Sequence, residues 1–364
     1  MRALSKSASH AGWQVIAVDA FADSDTQKYA HESVCIPLKN GHFSEHLLGA
    51  CLTELHQKYP MAHVLLGAGA EYFGSHIERL RSWKLCAQSQ AVDQILNPKV
   101  FFAGLDELHI KYPETQFEYR PQSGVWLTKL FHSCGGMGVM RGSYPHTQME
   151  RCYWQQQQFG LPISALFIAQ TNACERLGIN LQFVNDGLSK QHPFIFSGLQ
   201  ANYQVSDKIL LKIDGYANKL SKHFNYLGVF SLDMILTSEE LFVLEMNPRI
   251  SASFEMYERL NPQLNLVDAH IRVCELEPLP KLGPLSMQSK AYRIVFARQN
   301  ILIPEYVTWP EWVVDRPHAG RLIELNEPVC SIHTDDGRFT SDEILRQLQK
   351  REQEVLSLLQ AQNA

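Results

Sequence analysis

Two apolar runs, VFSLDMIL (Val229–Leu236) and LFVLEMNPRI (Leu241–Ile250), joined by Thr237–Glu240, constrain this chain more than any other feature. Alternation with a period of two and a short polar connection read as an antiparallel β-hairpin with one buried face. With Ser238, Glu239 and Glu240 as the loop, Leu236 meets Phe242, Met234 meets Leu244 and Leu232 meets Met246, a continuous apolar face. The same register sets Asp233 opposite Glu245 and Ser231 opposite Asn247. Opposed side chains stand about 4.5–5.5 Å apart at Cβ. Two carboxylates there repel unless a cation or a shared proton lies between them. Two carboxylates and an amide carbonyl are hard oxygen donors that suit Mg²⁺, which keeps its other positions for water and phosphate oxygens. Pro248 ends the ladder, and Arg249 follows within reach of an anion beside the cation. Taken alone, the acid pair also fits a hairpin whose polar face is merely solvated.

At 364 residues the chain exceeds one ordinary core and suits two or three domains. A formal charge of −5 offers no basic stripe for nucleic acid. No apolar run approaches the roughly 18 residues that suggest a membrane span, and MRALSKSASH lacks the apolar stretch of a secretion signal. The eight cysteines are scattered without a CxxC pair, which argues against a zinc site and suits free thiols in a reducing cytoplasm.

Along the chain, Leu4–Ala11 reads as a helix and Val15–Asp19 as a strand. VCIPL, FSEHLLGACLTELHQKYP and HVLLGAGA follow as strand, helix and strand. That alternation indicates a parallel sheet with crossover helices. Such domains usually open on a strand, so this one is expected to begin upstream of Met1. Gly67-x-Gly69 reads as a tight turn. Asn97–Thr115 carries a proline-bounded helix start, and GVWLTKLFHSCGGMGV is a strand entering a glycine-rich loop. An extended stretch over Tyr153–Ala169, helices near 208–224, 265–275 and 341–359, and the strand YRIVFA complete the reading.

With these elements in place the chain resembles the ATP-grasp family. ExNPR ending a strand, with an acid 12 residues upstream, is that family's metal signature; Asp233, Glu245 and Asn247 fall on its ligand positions and Arg249 on the arginine near the phosphates. Lys99 in NPKVFF and Lys129 in WLTKLFHSCGGMGV look like the family's two nucleotide lysines, in the expected order. Ser133, Gly135, Gly136 and Gly138 look like the loop that covers the γ-phosphate. CYWQQQQFGLPISALF resembles the segment linking the two ATP-clasping subdomains, where the backbone of Gln156, Gln157 and Gln158 would meet the adenine edge; Gln156 and Phe159 stand where acids are common.

The resemblance implies an α/β (α+β) ATP-grasp fold: a Rossmann-like domain over 1–95, a lid subdomain over 96–155, a metal-bearing subdomain over 156–290 and an extension over 291–364. It implies ATP and Mg²⁺ (or Mn²⁺) as cofactors, and activation of a carboxylate as an acylphosphate that an amine then attacks. Lys129 and Arg249 would stabilise the transferring group, and Ser251 and Ser253 would reach the substrate carboxylate. NPRISASFEMYERLNPQLNLVDAH further resembles the branch of tyramine–glutamate ligases that serve one-carbon cofactor synthesis. A carboxylase or carbamoyl-phosphate-type enzyme, and a non-catalytic nucleotide-binding module, remain the alternatives. The expected partners are small-molecule carboxylates and amines and a second copy of the chain, with no nucleic acid or membrane; the expected compartment is the cytoplasm.

Overall fold

The computed structural model describes residues 1–39, 42–70, 83–118, 124–142, 151–184, 193–279, 282–335, 337 and 339–361. The N-terminal unit runs α1 (Arg2–His10), β1 (Ile16–Asp19), α2 (Ser24–Tyr29), β2 (Glu32–Cys35), β3 (Leu38–Lys39), β4 (His42–Phe43), α3 (Glu45–Lys58), β5 (His63–Val64) and β6 (Lys84–Leu85). The pairs β1–β2 and β5–β6 are parallel, as the strand–helix alternation requires. Asp23 starts α2 by accepting the N–H groups of Asp25 and Thr26, and Ser44 starts α3 by accepting that of Leu47. Ile36, Leu48, Leu52 and Leu66 form a small core.

The middle of the chain gives α4 (Ser89–Leu96), α5 (Pro98–Glu107), β7 (Thr115–Gln116), β8 (Trp126–Leu130), β9 (Val139–Arg141) and β10 (Cys152–Gln156). Its four strands make an antiparallel sheet in the order β7-β10-β8-β9. Asn97 caps α5 and Pro98 occupies its first turn, where a missing N–H is harmless.

The remainder comprises β11 (Leu161–Ala169), β12 (Cys174–Val184), β13 (Phe196–Ala201), α6 (Asp207–His223), β14 (Gly228–Leu236), β15 (Leu241–Asn247), α7 (Phe254–Leu260), α8 (Leu266–Cys274), β16 (Lys290–Phe296), β17 (Ile301–Leu302), β18 (Val313–Val314), β19 (Leu322–Ile323), β20 (Pro328–His333) and α9 (Ser341–Ala361). One eight-stranded sheet, in the order β15-β14-β11-β12-β13-β16-β20-β18, runs through most of it. The expectation for 291–364 was an extension packing on the rest of the chain. In the structure β16 hydrogen-bonds directly to β13, so the C-terminal strands continue the sheet and cover an edge that would otherwise be open.

Because successive residues of a strand face opposite ways, the large sheet has two distinct faces. Ile163, Ala165, Phe167, Phe230, Leu232 and Met234 share one core with residues of α4, α5 and α6. Leu166, Ile168, Leu199 and Val229 share another with α7 and α8. Near the hairpin this second face turns polar, with Ser164, Asn180 and Ser231 buried on it. Arg2 ties the parts together. Its Nη1 and Nη2 donate to both Glu255 oxygens at 2.6 Å and its Nε to Asp315 at 2.7 Å, and the Arg2 side chain is only 5% exposed. Arg316 Nε donates to Asp25 Oδ2 at 2.9 Å, a second link from the C-terminal segment to the N-terminal unit.

His270 of α8 fastens that helix to β14 and to the loop before α4. Its Nδ1 accepts from the Val229 N–H at 2.8 Å, so Nε2 carries the proton and donates to the Cys86 carbonyl, also at 2.8 Å. Burial pulls the ring from its ordinary 6.5 to about 4. Between those values the unfolded chain binds a proton that the folded chain refuses, so stability falls as pH drops through this window. The loss is about 3 kcal/mol for this one ring. Denaturant unfolding at steps from pH 7 to pH 4 is expected to show that loss, and His270→Gln to remove about that much of the slope.

Candidate active site

The hairpin forms, with the acids paired as expected: Ser231 faces Asn247, Leu232 faces Met246 and Asp233 faces Glu245. Toward the turn the expected register is wrong. Met234 pairs with Val243, Ile235 with Phe242 and Leu236 with Leu241, so Leu244 is the extra residue of a β-bulge. The bulge shifts the parity of the strand. Leu241 and Val243 are buried before it and Met246 after it, whereas Phe242 and Leu244 are only half-buried. The turn spans four residues, with the Thr237 N–H donating to the Glu240 carbonyl at 2.9 Å.

Burial, and then the neighbouring Glu245, push the Asp233 carboxyl far above the usual carboxylate range. A donor from Gln182 and the charge of Arg249 work against that rise without cancelling it. Asn247 Nδ2 donates to Asp233 Oδ2 at 3.3 Å, and Arg249 Nη2 donates to Asn247 Oδ1 at 3.0 Å. Glu245 is exposed. The three oxygen donors suit a divalent cation: two facing acids, one of them destabilised in its charged form, and an amide whose oxygen a cation can take. Sequence reasoning missed Gln182; the alternation of Asn180 and Gln182 about Leu181 in GINLQFV carried the signal.

Lys129 lies in β8, between β10 and β9, opposite Tyr153 and Val139. It is 9% exposed, and burial lowers its pKa against the opposing pull of Glu245 and Asp233. The lysine of the smaller sheet therefore lies within electrostatic reach of the acids of the larger one. Lys99 sits in the first turn of α5 with Nζ 5.7 Å from the Phe117 ring centre. Phe117 in turn packs against Tyr153, at 5.9 Å.

The glycine loop is seated on the large sheet. The Gly135 carbonyl accepts the Phe196 N–H at 2.9 Å, Gly135 and Gly136 have φ of +62° and +77°, and a Cβ on Gly136 would lie 1.9 Å from the Phe194 carbonyl oxygen. A Cβ on Gly138 would strike the Ser133 Oγ at 2.2 Å. Ser133 Oγ donates to the Leu130 carbonyl at 3.3 Å. The Gly67–Ala70 turn of the N-terminal unit approaches the same loop, since a Cβ on Gly69 would stand 3.6 Å from Cys134 Sγ.

Gln156, Gln157 and Gln158 lie where β10 leaves the smaller sheet for β11. The Gln156 N–H donates to the Glu114 carbonyl and the Gln157 N–H to the Val125 carbonyl, both at 2.8 Å. The Gln157 amide, expected to face adenine, is thus engaged within the protein. Ser251 Oγ lies 2.7 Å from Ser231 Oγ. Ser253 stands at the N-cap of α7 without capping it, and its hydroxyl is buried without a hydrogen-bond partner among the described residues.

Two sheets that present a lysine, a glycine loop and a facing acid pair to one another define a nucleotide-clasping fold. Residues 99–253 match the family model described as the ATP-grasp domain, and the fold is the ATP-grasp fold. It aligns with the biotin carboxylase–beta-gamma-ATP complex from Campylobacter jejuni at a TM-score of 0.71 and 13% identity, over 95% of this chain and 86% of that one. The biotin carboxylase domain dimer of Hydrogenobacter thermophilus 2-oxoglutarate carboxylase, solved with MgADP, ADP and bicarbonate, aligns at 0.69 and 12% over 91% and 83%. N5-carboxyaminoimidazole synthetase from Staphylococcus aureus, complexed with ADP, aligns at 0.64 and 14% over 98% and 94%. No curated protein sequence matches the chain.

Gly136→Ala is expected to unseat the loop, because the added methyl group cannot share space with a backbone oxygen at a positive φ. The Phe196 amide should then exchange its hydrogen roughly tenfold faster or more. Gly215→Ala, in open space on α6, should leave that exchange unchanged. Equal protection of Phe196 in the two variants would contradict the seating.

Proposed function

We propose that this chain is an ATP-dependent, ADP-forming ligase that activates a carboxylate as an acylphosphate and joins it to an amine. The observation that carries the reading is the facing pair Asp233–Glu245, flanked by Asn247 and Arg249, with Lys129 of the opposite sheet drawn toward both acids. Asp233, Glu245 and Asn247 would hold Mg²⁺ or Mn²⁺, which when bound offsets the charge of the ATP phosphates.

The chain's own groups do the rest. Lys129, Lys99 and Arg249 spread positive charge over the transferring phosphoryl group. The backbone N–H groups of Gly135, Gly136 and Gly138 close over it. A seated loop keeps water from the acylphosphate, which would otherwise hydrolyse before the amine attacks. The linker Gln156–Gln158 receives the adenine edge through backbone atoms other than the Gln156 and Gln157 N–H groups, and Ser251 and Ser253 meet the substrate carboxylate. ADP and phosphate leave after the carbon–nitrogen bond forms.

The NPRISASFEMYERLNPQLNLVDAH segment, by its likeness to tyramine–glutamate ligases, favours an amino acid such as glutamate as one substrate and one-carbon cofactor synthesis as the setting. A second reading, in which bicarbonate is the activated carboxylate, draws support from the carboxylases among the solved folds it resembles. A homodimer fits either reading. Among the described residues no helix is long and apolar enough to cross a membrane, and the proposed setting is the cytoplasm.

Phosphate and ADP release, measured across amino acids, amines and bicarbonate, separates the two readings. An amine-dependent signal supports ligation and a bicarbonate-dependent one carboxylation. Glu245→Gln should lower turnover roughly a hundredfold or more, as expected for loss of a preorganised charge, while the circular dichroism of the fold is retained. Turnover left intact in that variant would remove the acid pair from the mechanism.

A further inference from the structure

Two amides donate to Asp233 from opposite sides of its strand. Asn247 does so from β15, with Nδ2 3.3 Å from Asp233 Oδ2. Gln182 does so from β12, which lies beyond the intervening β11. Across that gap the ladder pairs Asp233 with Ser164, and Ser164 with Asn180. Asn180 is nearer in register but already committed. Its Oδ1 accepts the Tyr257 hydroxyl at 2.7 Å and its Nδ2 donates to Ser164 Oγ at 3.0 Å. Gln182 stands two residues further along β12, and therefore on the same face. Neighbouring strands are about 4.7–4.9 Å apart, so the two side chains bridge backbones roughly 10 Å apart. Ser164, on the strand between, is small enough to be crossed.

The two donors differ in what else they do. Under the ligase reading Asn247 is itself a cation ligand, and its Oδ1 already accepts from Arg249 Nη2 at 3.0 Å. An amide that must offer its oxygen to the cation is poorly placed to fix a neighbouring ligand. Gln182 lies on a strand that carries none of the ligands. We propose that Gln182 is a positioning residue: it holds the Asp233 carboxylate from across β11 in the orientation that takes the divalent cation. The inference rests on the ligase reading, which makes Asp233 a cation ligand. A neutral donor suits this task better than a charged one. A lysine or arginine there would offset the carboxylate's charge and repel the cation, whereas an amide restrains rotation and leaves the charge for the metal. Removing such outer partners of a ligand typically costs roughly 10–100-fold in metal affinity. The same strands carry the seat of the glycine loop. Gln182 pairs with Leu199, and Val184 with Phe196, whose N–H meets the Gly135 carbonyl. One strand pair thus sets both the loop and Asp233.

Calorimetric titration of ADP into the full chain at graded Mg²⁺ concentrations tests this without turnover. Gln182→Leu removes the donor at similar size from a half-buried position. It should raise the Mg²⁺ concentration for half-maximal binding by roughly ten- to a hundredfold, while affinity at saturating Mg²⁺ stays near that of the unmodified chain. A purely structural role would lower the melting temperature and leave the Mg²⁺ midpoint in place, and that result overturns the proposal. A loss of ADP affinity that saturating Mg²⁺ does not restore would assign Gln182 to the nucleotide and overturns it equally. If Gln182→Leu fails to fold, the unbranched Gln182→Met decides in its place. Glu245→Gln separates the two levels of inference. Should the unmodified chain bind ADP with no Mg²⁺ dependence, or Glu245→Gln leave that dependence unaltered, the cation site itself is refuted and the role of Gln182 with it. Should the dependence run through Glu245 while the Gln182 variant matches the unmodified chain, only the role of Gln182 is refuted.

Discussion

Two carboxylates facing each other across a β-ladder are the constraint around which this structure is arranged. Asp233 and Glu245 stand in directly paired positions, where repulsion between charged groups works against the hairpin that carries them. A fold that keeps such a pair must anchor both strands by other means. The apolar residues on the reverse face do so: Phe230, Leu232 and Met234 are fully buried. At about 1.5–3 kcal/mol for each large side chain buried, they outweigh what one acid pair takes away.

The surrounding architecture brings charges of the other sign toward this point from separate directions. Lys129 approaches from the centre of the smaller sheet, where burial lowers its pKa and Glu245 and Asp233 pull it back up. Arg249 arrives along the chain itself, two residues beyond Asn247, and bonds back to it. The glycine loop belongs to the smaller sheet yet hydrogen-bonds to Phe196 of the larger one, so its position reports how the two sheets sit together. Dispersing the groups over both sheets makes the arrangement sensitive to closure, which suits chemistry that must exclude water.

Much of this was legible in the sequence, for specific reasons. The acid pair and its register could be read because period-two alternation and the ExNPR spacing agree over Ser231–Asn247. The helices over 207–223, 266–274 and 341–361 were visible from their apolar spacing and were found within two residues of expectation. The bulge at Leu244 was not legible. Phe242, Leu244 and Met246 alternate without a break, and only packing against the helices decides that Leu241 and Val243 lie inside. The union of the C-terminal strands with the main sheet was hidden for a related reason: YRIVFA marks a strand but says nothing of its partner. Gln182 escaped notice because, although Asn180 and Gln182 alternate about Leu181, only pairing across the sheet decides that its side chain meets Asp233.

Arg2 gathers residues from two remote parts of the chain, bonding Glu255 and Asp315 at separations of 253 and 313 positions. The guanidinium and its first acid leave the ribosome long before the second. Until the segment around Asp315 has been made, the Arg2 guanidinium that bonds Glu255 of α7 lacks its second acid. The Arg2–Glu255–Asp315 cluster can therefore be completed only late in translation. A nascent chain halted after the ATP-grasp segment would hold Asp233, Glu245 and Asn247 without the brace that fixes the helix beside them.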